Sequence, residues 1–392
     1  MITIIKNAVI YSPRYLGKKD IVIASNKIEG IYDNVIIPKD FCNINIIDAD
    51  NNIVVPGFID PHVHITGGGG EGGFSTRTPE ITLSKIVSSG ITTVVGCLGT
   101  DSVCRSMGNL LAKANGLEEE GITSYIYTGS YSIPVVNSIT ENAKSDIILI
   151  DKIIGIGEVA ISDHRSSQPS FHDFIKICAQ GRVGGLISGK AGIINVHVGA
   201  GRAGIEYLFE TINNTEIPMS QIIPTHMGRN KELFEQGVKY AKQGGFIDFT
   251  TSSDIKSLEA GEIKASTALK MALEQGVDIK QLQFSSDGQG SLPIFNERRQ
   301  FVGLGIGSVK SLYEEFKDCV TKENIKFEQA LQVVTSNVAD HLKLKNKGYI
   351  EKNKDADIVI LNKNNLDIDM VMCKGKVFVK EGNVIQKGVF EK

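Results

Sequence analysis

Residues 53–79, IVVPGFIDPHVHITGGGGEGGFSTRTP, decide how the rest of the chain is interpreted. Their β-branched and aromatic residues predict a buried strand at 53–61, and His62 and His64 follow at its end. Side chains two residues apart share one face of a strand, so the two imidazoles can bind one metal ion. Alternatively, both histidines form ordinary hydrogen bonds at a strand end. The pair is therefore a candidate metal site that needs support from other strands.

Length and composition exclude several classes of protein. A chain of 392 residues can bury a large core and favours one large domain with a smaller one. Its 42 basic and 45 acidic residues give a net charge of −3, which argues against nucleic acid and anionic membranes as partners. We see no signal peptide or membrane span, and the six cysteines show no CxxC spacing. We therefore expect a soluble, cytoplasmic protein.

The two ends of the chain predict one small β domain. Residues 1–52 are rich in Ile and Val and contain short turn signals. Residues 348–392 show the same pattern, with hairpin turns at 374–376 and 381–383. We expect the two ends to pair into a single β-sandwich, with residues 53–347 inserted between them as a separate domain.

Strand-like and helix-like segments alternate through the inserted region. Several of the helical segments end at a glycine, which can adopt the left-handed capping conformation. Such an alternation is typical of α/β proteins, and eight repeats of it predict a (β/α)8 barrel of the TIM type. Strands are expected at 53–61, 91–98, 123–127, 154–161, 193–198, 221–225, 246–250 and 282–286, and helices at 79–89, 110–120, 203–214, 231–243 and 263–275.

Ligand-type side chains recur where the predicted strands end. In such a barrel the carboxyl ends of the strands form one face, so these side chains converge. Nitrogen and oxygen ligands without thiolates suit Zn, Mn, Co or Fe, and the set is large enough for two ions with a bridging carboxylate. Taken singly, His197 could be a hydrogen-bonded core histidine and Asp287 a turn cap. The candidate ligands are His62, His64, Glu158, His197, His226 and Asp287.

Five motifs carry a resemblance to a known family that covers nearly the whole chain. The histidine pair, the two later histidines and the terminal aspartate are similar to those of the amidohydrolase superfamily, and the motifs resemble its bacterial isoaspartyl dipeptidases. This resemblance implies a homo-oligomeric metallo-dipeptidase that cleaves β-aspartyl (isoAsp-X) dipeptides with two divalent ions, expected to be zinc. The motifs are HVHITGGGGEGGFSTRTPE at 62–80, GTDS at 99–102, AISDHRS at 160–166, PTHMGRN at 224–230 and SSDGQGS at 285–291.

The resemblance also implies roles for individual residues. Family members bind the substrate's α-amino group with a glutamate, here Glu71, and its carboxylates with two arginines, here Arg165 and Arg229. Tyr131 corresponds to a tyrosine that polarises the scissile carbonyl. Asp287 corresponds to the aspartate that moves the proton of a metal-bound hydroxide to the leaving amine. A zwitterionic dipeptide does require one anion and at least one forked cation in its site. Smaller substrate contacts fall on Gly69, Thr100 and Ser291.

One position departs from the family pattern. The best-known members carry a carbamylated lysine on the fourth strand, where this chain has Glu158, which is shorter by roughly 3 to 4 Å. Gly155 and Gly157 precede it, and glycines within strands often mark a bulge. The sequence thus predicts a displaced strand from which Glu158 bridges two metal ions without dependence on bicarbonate. Alternatively, Glu158 does not reach, and one metal ion binds weakly.

Other interpretations stay open from the sequence. A cyclic-amide hydrolase of the dihydroorotase or hydantoinase kind would share the metal ligands but would not need Glu71. A metal-free scaffold protein on the same fold would need none of the ligands, although all are present. Arg165 could pair with Asp163 as part of the surface and take no part in substrate binding.

Overall fold

A computed structural model describes residues 2–37, 43–252, 261–296 and 301–392. One nine-stranded sheet contains both ends of the chain, as the sequence predicts. Its strands are β1 Ile2–Tyr11, β2 Tyr15–Ala24, β3 Lys27–Tyr32, β4 Ile44–Asp48, β5 Ile53–Pro56, β16 Ile358–Leu361, β17 Ile368–Cys373, β18 Lys376–Lys380 and β19 Asn383–Val384. β1 pairs in parallel with β4 and β5, and β16 joins the C-terminal strands to β5.

The middle of the chain forms a curled parallel sheet. Its strands are β6 Phe58–Val63, β7 Ile91–Gly96, β8 Thr123–Thr128, β9 Ile153–Ile161, β10 Ile193–Val198, β11 Ile222–Thr225, β12 Ile247–Thr250 and β13 Leu282–Ser285. β6 to β11 are neighbours in order, and β12 pairs with β13. Met227 N donates to Asp248 O beyond β11, and Asp287 N donates to His62 O beyond β13. This mixed α/β, TIM-type architecture is confirmed, and it brings the strand ends to one edge.

Helices cover the curled sheet and pack with its strands into one large apolar core. They are α1 Leu83–Val87, α2 Met107–Glu120, α3 Ala143–Leu149, α4 Phe171–Ser188, α5 Glu206–Asn214, α6 Lys231–Lys242, α7 Ala265–Glu274, α8 Lys310–Thr321, α9 Phe327–Gln332 and α10 Ser336–His341. Short 3-10 turns lie at Phe74–Thr76, Met219–Gln221 and Ile279–Gln281. In the parts of the chain described, no helix is long and apolar enough to cross a membrane.

Among the predicted elements, two differ most in their bounds. The strand expected at 53–61 is divided at Gly57: β5 belongs to the terminal sheet, and the curled sheet begins with β6. A Cβ at Gly57 would lie 2.2 Å from Thr92 Oγ1, so the chain passes between the two sheets where a larger residue does not fit. The helix expected at 79–89 is shorter in the structure, where it is limited to α1, Leu83–Val87.

Several elements were not predicted from the sequence, namely α3, α4, α8, α9, α10 and a hairpin. α4 was missed because its glycines disfavour a helix, yet a Cβ at Gly181 would lie 2.7 Å from Gly192 O, so close packing against the sheet explains them. The Ser170–Asp173 capping box is the signal that would have found it. The hairpin lies after the last parallel strand and is formed by β14 Ser291–Phe295 and β15 Phe301–Ile306.

Candidate active site

The predicted metal ligands meet at the carboxyl edge of the curled sheet. His62 lies in β6, His197 lies in β10, and His64, His226 and Asp287 lie directly beyond β6, β11 and β13. The four imidazoles are buried, whereas the Asp287 side chain is 19% exposed. His64 Nε2 lies 3.0 Å from Asp287 Oδ1, and His226 Nε2 lies 3.0 Å from His197 Nδ1. Side chains from separate strands thus converge, as expected for this architecture.

Glu158 lies between the two pairs of histidines. Its Oε2 is 3.3 Å from His62 Nε2 and 3.8 Å from His64 Nε2. Its Oε1 is 2.7 Å from His197 Nδ1 and 3.4 Å from His226 Nε2. The two carboxylate oxygens therefore face different pairs of ligands, which is the arrangement that a bridging carboxylate requires.

The backbone of β9 is displaced at Glu158. β9 places two residues, Gly157 and Glu158, opposite the single Asn195 of β10, which is a β-bulge. A Cβ at Gly157 would lie 2.8 Å from Asn195 Cβ, and one at Gly155 would lie 2.5 Å from Ile193 O. The bulge that these glycines predict is therefore present, and the reach of Glu158 has a backbone explanation.

The composition of the cluster suits metal ions. Both ring nitrogens of His62 and the Oε2 atom of Glu158 are buried without a hydrogen-bond partner among the residues described. Such groups are costly to bury unless something else satisfies them. Ligand-type atoms of two groups lie within 4.8 Å of one another, and each group could hold an ion. The groups are His62, His64, Cys97 and Glu158, and Glu158, His197 and His226.

Hydrogen bonds to Thr250 and Asp163 orient two of the histidine rings. His226 Nδ1 lies 2.6 Å from Thr250 Oγ1, and His197 Nε2 lies 2.9 Å from Asp163 Oδ2. Ligating histidines usually have their second nitrogen held in this way. Burial, together with the neighbouring His197, lowers the pKa of His226 to about 3, so this ring is neutral and able to bind a metal ion.

All seven predicted substrate-contacting residues line one cavity above the ligand cluster. The cavity also reaches His64, His197, His226 and Asp287, so a molecule bound in it meets the candidate metal centre. The structure therefore brings four of the predicted ligands and the predicted substrate contacts together. The predicted substrate contacts are Gly69, Glu71, Thr100, Tyr131, Arg165, Arg229 and Ser291.

Arg165 has partners on two sides. Its Nε and Nη2 donate to Asp163 at 3.0 and 2.8 Å, so the pairing considered as an alternative is present. Its Nη1 nevertheless lies 3.5 Å from Glu71 Oε1 inside the cavity, and Glu71 also accepts a hydrogen bond of 2.8 Å from Thr100. Asp163 thus connects the guanidinium of Arg165 to the His197 ring, a link that the sequence did not predict.

Tyr131 and Arg229 lie on other walls of the cavity. Tyr131 Oη is 2.9 Å from His197 Nδ1, and burial raises the pKa of this phenol well above its usual value. The hydroxyl therefore keeps its proton and can donate. Arg229 lies beyond β11, and its Nε is buried without a hydrogen-bond partner in the described ranges. A guanidinium on the wall of this cavity can bind an anion.

Arg105 anchors the base of the glycine-rich loop. Its Nε donates to Gly67 O at 2.6 Å, and its Nη2 donates to Gly68 O at 3.0 Å and to Thr78 O at 2.8 Å. These bonds fix the segment that carries Glu71. No local pattern indicates this role, because it depends on contacts between separate segments of the chain.

Comparison with known proteins gives close matches over the whole chain. The chain is similar to two structures of β-aspartyl dipeptidase from the thermophilic, keratin-degrading Fervidobacterium islandicum AW-1. One, in complex with a β-Asp-Leu dipeptide, is 48% identical with a TM-score of 0.89 and 98% of each chain covered. The other is 45% identical, with a TM-score of 0.88 and the same coverage. A dihydroorotase from Lactobacillus gasseri is 23% identical over 99% of this chain and 93% of its own length.

The family assignment rests on a match to most of the chain. The model of the amidohydrolase family matches residues 53–378. This span contains the whole curled sheet and all six predicted metal ligands. The chain therefore belongs to the amidohydrolase family.

Proposed function

We propose that this protein is a metal-dependent β-aspartyl dipeptidase that hydrolyses the isoAsp-X bond. One observation carries the proposal: the candidate metal ligands face a cavity whose walls include Glu71, Arg165 and Arg229. An isoAsp-X dipeptide has one ammonium and two carboxylates, which match one carboxylate and two guanidinium groups in number and sign. The likeness to the F. islandicum β-aspartyl dipeptidases, at 45% and 48% identity, supports the same assignment.

We infer that two divalent ions, most suitably zinc, occupy the cluster. His62 and His64 would hold one ion, His197 and His226 the other, Glu158 would lie between them, and Asp287 would complete the set. When bound, such ions lower the pKa of a coordinated water and polarise the scissile carbonyl. Glu158 already carries a carboxylate, so no carbamylation by bicarbonate is needed.

The substrate's α-carbon fits between Glu71 and Arg165. These side chains form an ion pair of 3.5 Å. An α-carbon that carries both an ammonium and a carboxylate can replace this contact, with the ammonium on Glu71 and the carboxylate on Arg165. Arg229 then binds the second carboxylate. Gly69, Thr100 and Ser291 supply further polar contacts around it.

Two residues handle charge and protons during the reaction. Tyr131 keeps its proton and donates it in a hydrogen bond to the carbonyl oxygen as negative charge develops there. Burial alone would raise the pKa of Asp287. The hydrogen bond with His64 and the charges of the neighbouring imidazoles have the larger, opposite effect, so the net pKa is lowered and the group is ionised. Asp287 can then take a proton from the attacking water and deliver it to the leaving amine.

We also propose a division of the chain into two domains, one of which carries the site. Residues 57–347 form a closed (β/α)8 barrel that carries the site, and residues 1–56 and 348–392 form a β-sandwich, which moves the boundary from residue 53, where the sequence predicts it. The hydrogen bonds of Met227 N and Asp287 N across the gaps in the curled sheet support closure. The pairing of β5 with the terminal sheet favours a boundary at Gly57. Cytoplasmic location and homo-oligomeric assembly stay predictions.

A substrate panel tests the function against the cyclic-amide alternative. Dihydroorotate and hydantoin carry no ammonium for Glu71 to bind, and Asp-Leu places its scissile carbonyl differently from isoAsp-Leu. We expect kcat/KM for isoAsp-Leu to exceed the values for the other three compounds by a large factor. Faster hydrolysis of either cyclic amide would replace the proposal with the alternative, and no hydrolysis by metal-loaded protein would favour the scaffold.

A further inference from the structure

Cys97 lies beside the candidate metal ligands. It directly follows β7 at the carboxyl edge of the curled sheet, and its side chain is fully buried. Its backbone N–H donates to Val63 O at 3.1 Å, which holds it against the segment between His62 and His64. Its Sγ lies 3.8 Å from His64 Nδ1. Cys97 is thus placed by the same strand-end rule as the histidines.

The sulfur contacts Val63 O at 3.7 Å, but several atoms of the group around it have no hydrogen-bond partner among the residues described. Ligand-type atoms of Cys97, His62, His64 and Glu158 all lie within 4.8 Å of one another. The ring nitrogens of His62 and the Oε2 atom of Glu158 have no hydrogen-bond partner in the part of the chain that the structure describes. His62 and Glu158 are each 1% exposed, so bulk solvent does not reach them. An ion bound among these four side chains would satisfy one ring nitrogen of His62 and the Oε2 atom of Glu158.

Charge balance favours a further anionic ligand. Two divalent ions carry four positive charges, whereas Glu158 and Asp287 supply two negative ones. Uncompensated charge in a buried site is unfavourable, and a thiolate would reduce it. The other described cysteines lie elsewhere: Cys178, Cys319 and Cys373 are part of the large apolar core, and Cys104 is exposed.

We propose that Cys97 is a thiolate ligand of the ion held by His62 and His64. This inference rests on the proposed function, which requires that ion. On binding, the sulfur–metal bond forms and the thiol proton leaves to solvent. The site then combines sulfur with nitrogen and oxygen ligands, whereas the histidine and carboxylate pattern in the sequence predicts no thiolate. A mixed set of this kind favours Zn, Co or Cd over Mg or Ca.

A different role for the sulfur would give a different spectrum. Cys97 could act from outside the coordination sphere, with its sulfur contacting Nδ1 of His64 and orienting the ring. Cobalt(II) distinguishes the two roles, because a thiolate bound to it gives an intense near-ultraviolet charge-transfer band. A sulfur outside the sphere leaves only the weak visible bands of the ion.

The test uses full-length protein that has been stripped of metal by chelation and loaded with Co²⁺. We expect the charge-transfer band in the wild type, its loss in Cys97→Ser, and its retention in Cys104→Ser. Absence of the band from Co²⁺-loaded wild type overturns the proposal, whether or not the variant folds. Persistence of the band in folded Cys97→Ser also overturns it.

Dipeptidase assays on the same samples keep the two proposals separate. Hydrolysis of isoAsp-Leu by Co²⁺-loaded wild type that shows no charge-transfer band would overturn the thiolate ligand and leave the function intact. A strong band without hydrolysis of isoAsp-Leu would support the ligand and contradict the function.

Discussion

Glu71 lies at the mouth of the cavity, where it contacts Thr100 and Arg165. Its proposed partner is the α-ammonium of the substrate. Acetylation removes that charge, so kcat/KM for N-acetyl-isoAsp-Leu should be roughly 10- to 100-fold lower than for isoAsp-Leu, the value of a charged hydrogen bond. In Glu71→Gln the difference between the two substrates should largely disappear. Equal hydrolysis of both dipeptides by the wild type would remove Glu71 from amine binding.

Arg229 is proposed to bind the second carboxylate through its planar fork. Arg229→Lys keeps the charge but loses the two parallel hydrogen bonds, so transition-state stabilisation should fall by about 1 to 3 kcal/mol. The measurement is kcat/KM with isoAsp-Leu. Arg182→Lys, on α4 and outside the cavity, is the matched control and should change little. An unchanged kcat/KM in Arg229→Lys would show that this side chain does not bind substrate.

The positions of these residues were predictable to different extents. Histidines and carboxylates at predicted strand ends were expected to converge, because parallel strands end on one edge. Cys97, Asp163 and Arg105 were not identified, since their roles depend on contacts between segments far apart in the sequence. Cys97 also ends a strand, so the rule applied to histidines would have found it if extended to thiols.

At the scale of elements, the bulge in β9 determines whether Glu158 reaches the ligands. Gly155→Ala would place a Cβ 2.5 Å from Ile193 O and push β9 away from β10. We expect a loss of roughly 1 to 3 kcal/mol in the free energy of unfolding and weaker binding of metal ions. Gly116→Ala is the control, because a Cβ there meets nothing within 4 Å and stabilises α2 by roughly 0.5 to 1 kcal/mol. Metal affinity in Gly155→Ala equal to that of the wild type would contradict this role for the bulge.

Secondary structure followed local signals except where tertiary packing outweighed them. The glycine predicted to end α2, Gly121, adopts the left-handed conformation with φ 115°. α4 was missed because intrinsic propensity counts its glycines as unfavourable, whereas close contact with the sheet requires them. β5 and β6 were merged because one continuous apolar pattern does not indicate which sheet each half joins.

At the scale of the whole molecule, a buried lysine connects the two sheets. Lys347 Nζ donates to Thr123 Oγ1 of β8 at 2.5 Å and pairs with Asp355 and Asp357, next to β16, at 2.8 and 2.5 Å. Its side chain is 3% exposed. Lys347→Met would leave Asp357 without this cation and Asp355 with Lys27 alone, at a cost of about 3 to 5 kcal/mol.

Urea unfolding measures this contribution and its dependence on pH. Burial alone would raise the pKa of Asp355. Lys347 and Lys27 together have the larger, opposite effect, so the net pKa lies below the usual 3.8. The contribution is therefore present above pH 3.8 and lost as the pH falls through the lower, folded pKa. The difference between the wild type and Lys347→Met should narrow in that acidic range. Lys322→Met, which removes a pair to Asp318 with the lysine 69% exposed, should cost less than about 1 kcal/mol. An equally small effect of Lys347→Met would contradict this account.

The central claim is that isoAsp-X hydrolysis depends on two metal ions bridged by Glu158. The most direct measurement is the release of leucine from isoAsp-Leu as metal-free protein is titrated with Zn²⁺ in buffer without bicarbonate. We predict no release before metal is added, a rise that levels off at about two equivalents per chain, and no comparable rise in Glu158→Ala. A plateau at one equivalent, a requirement for bicarbonate, or an uncleaved dipeptide at saturating Zn²⁺ would contradict the claim.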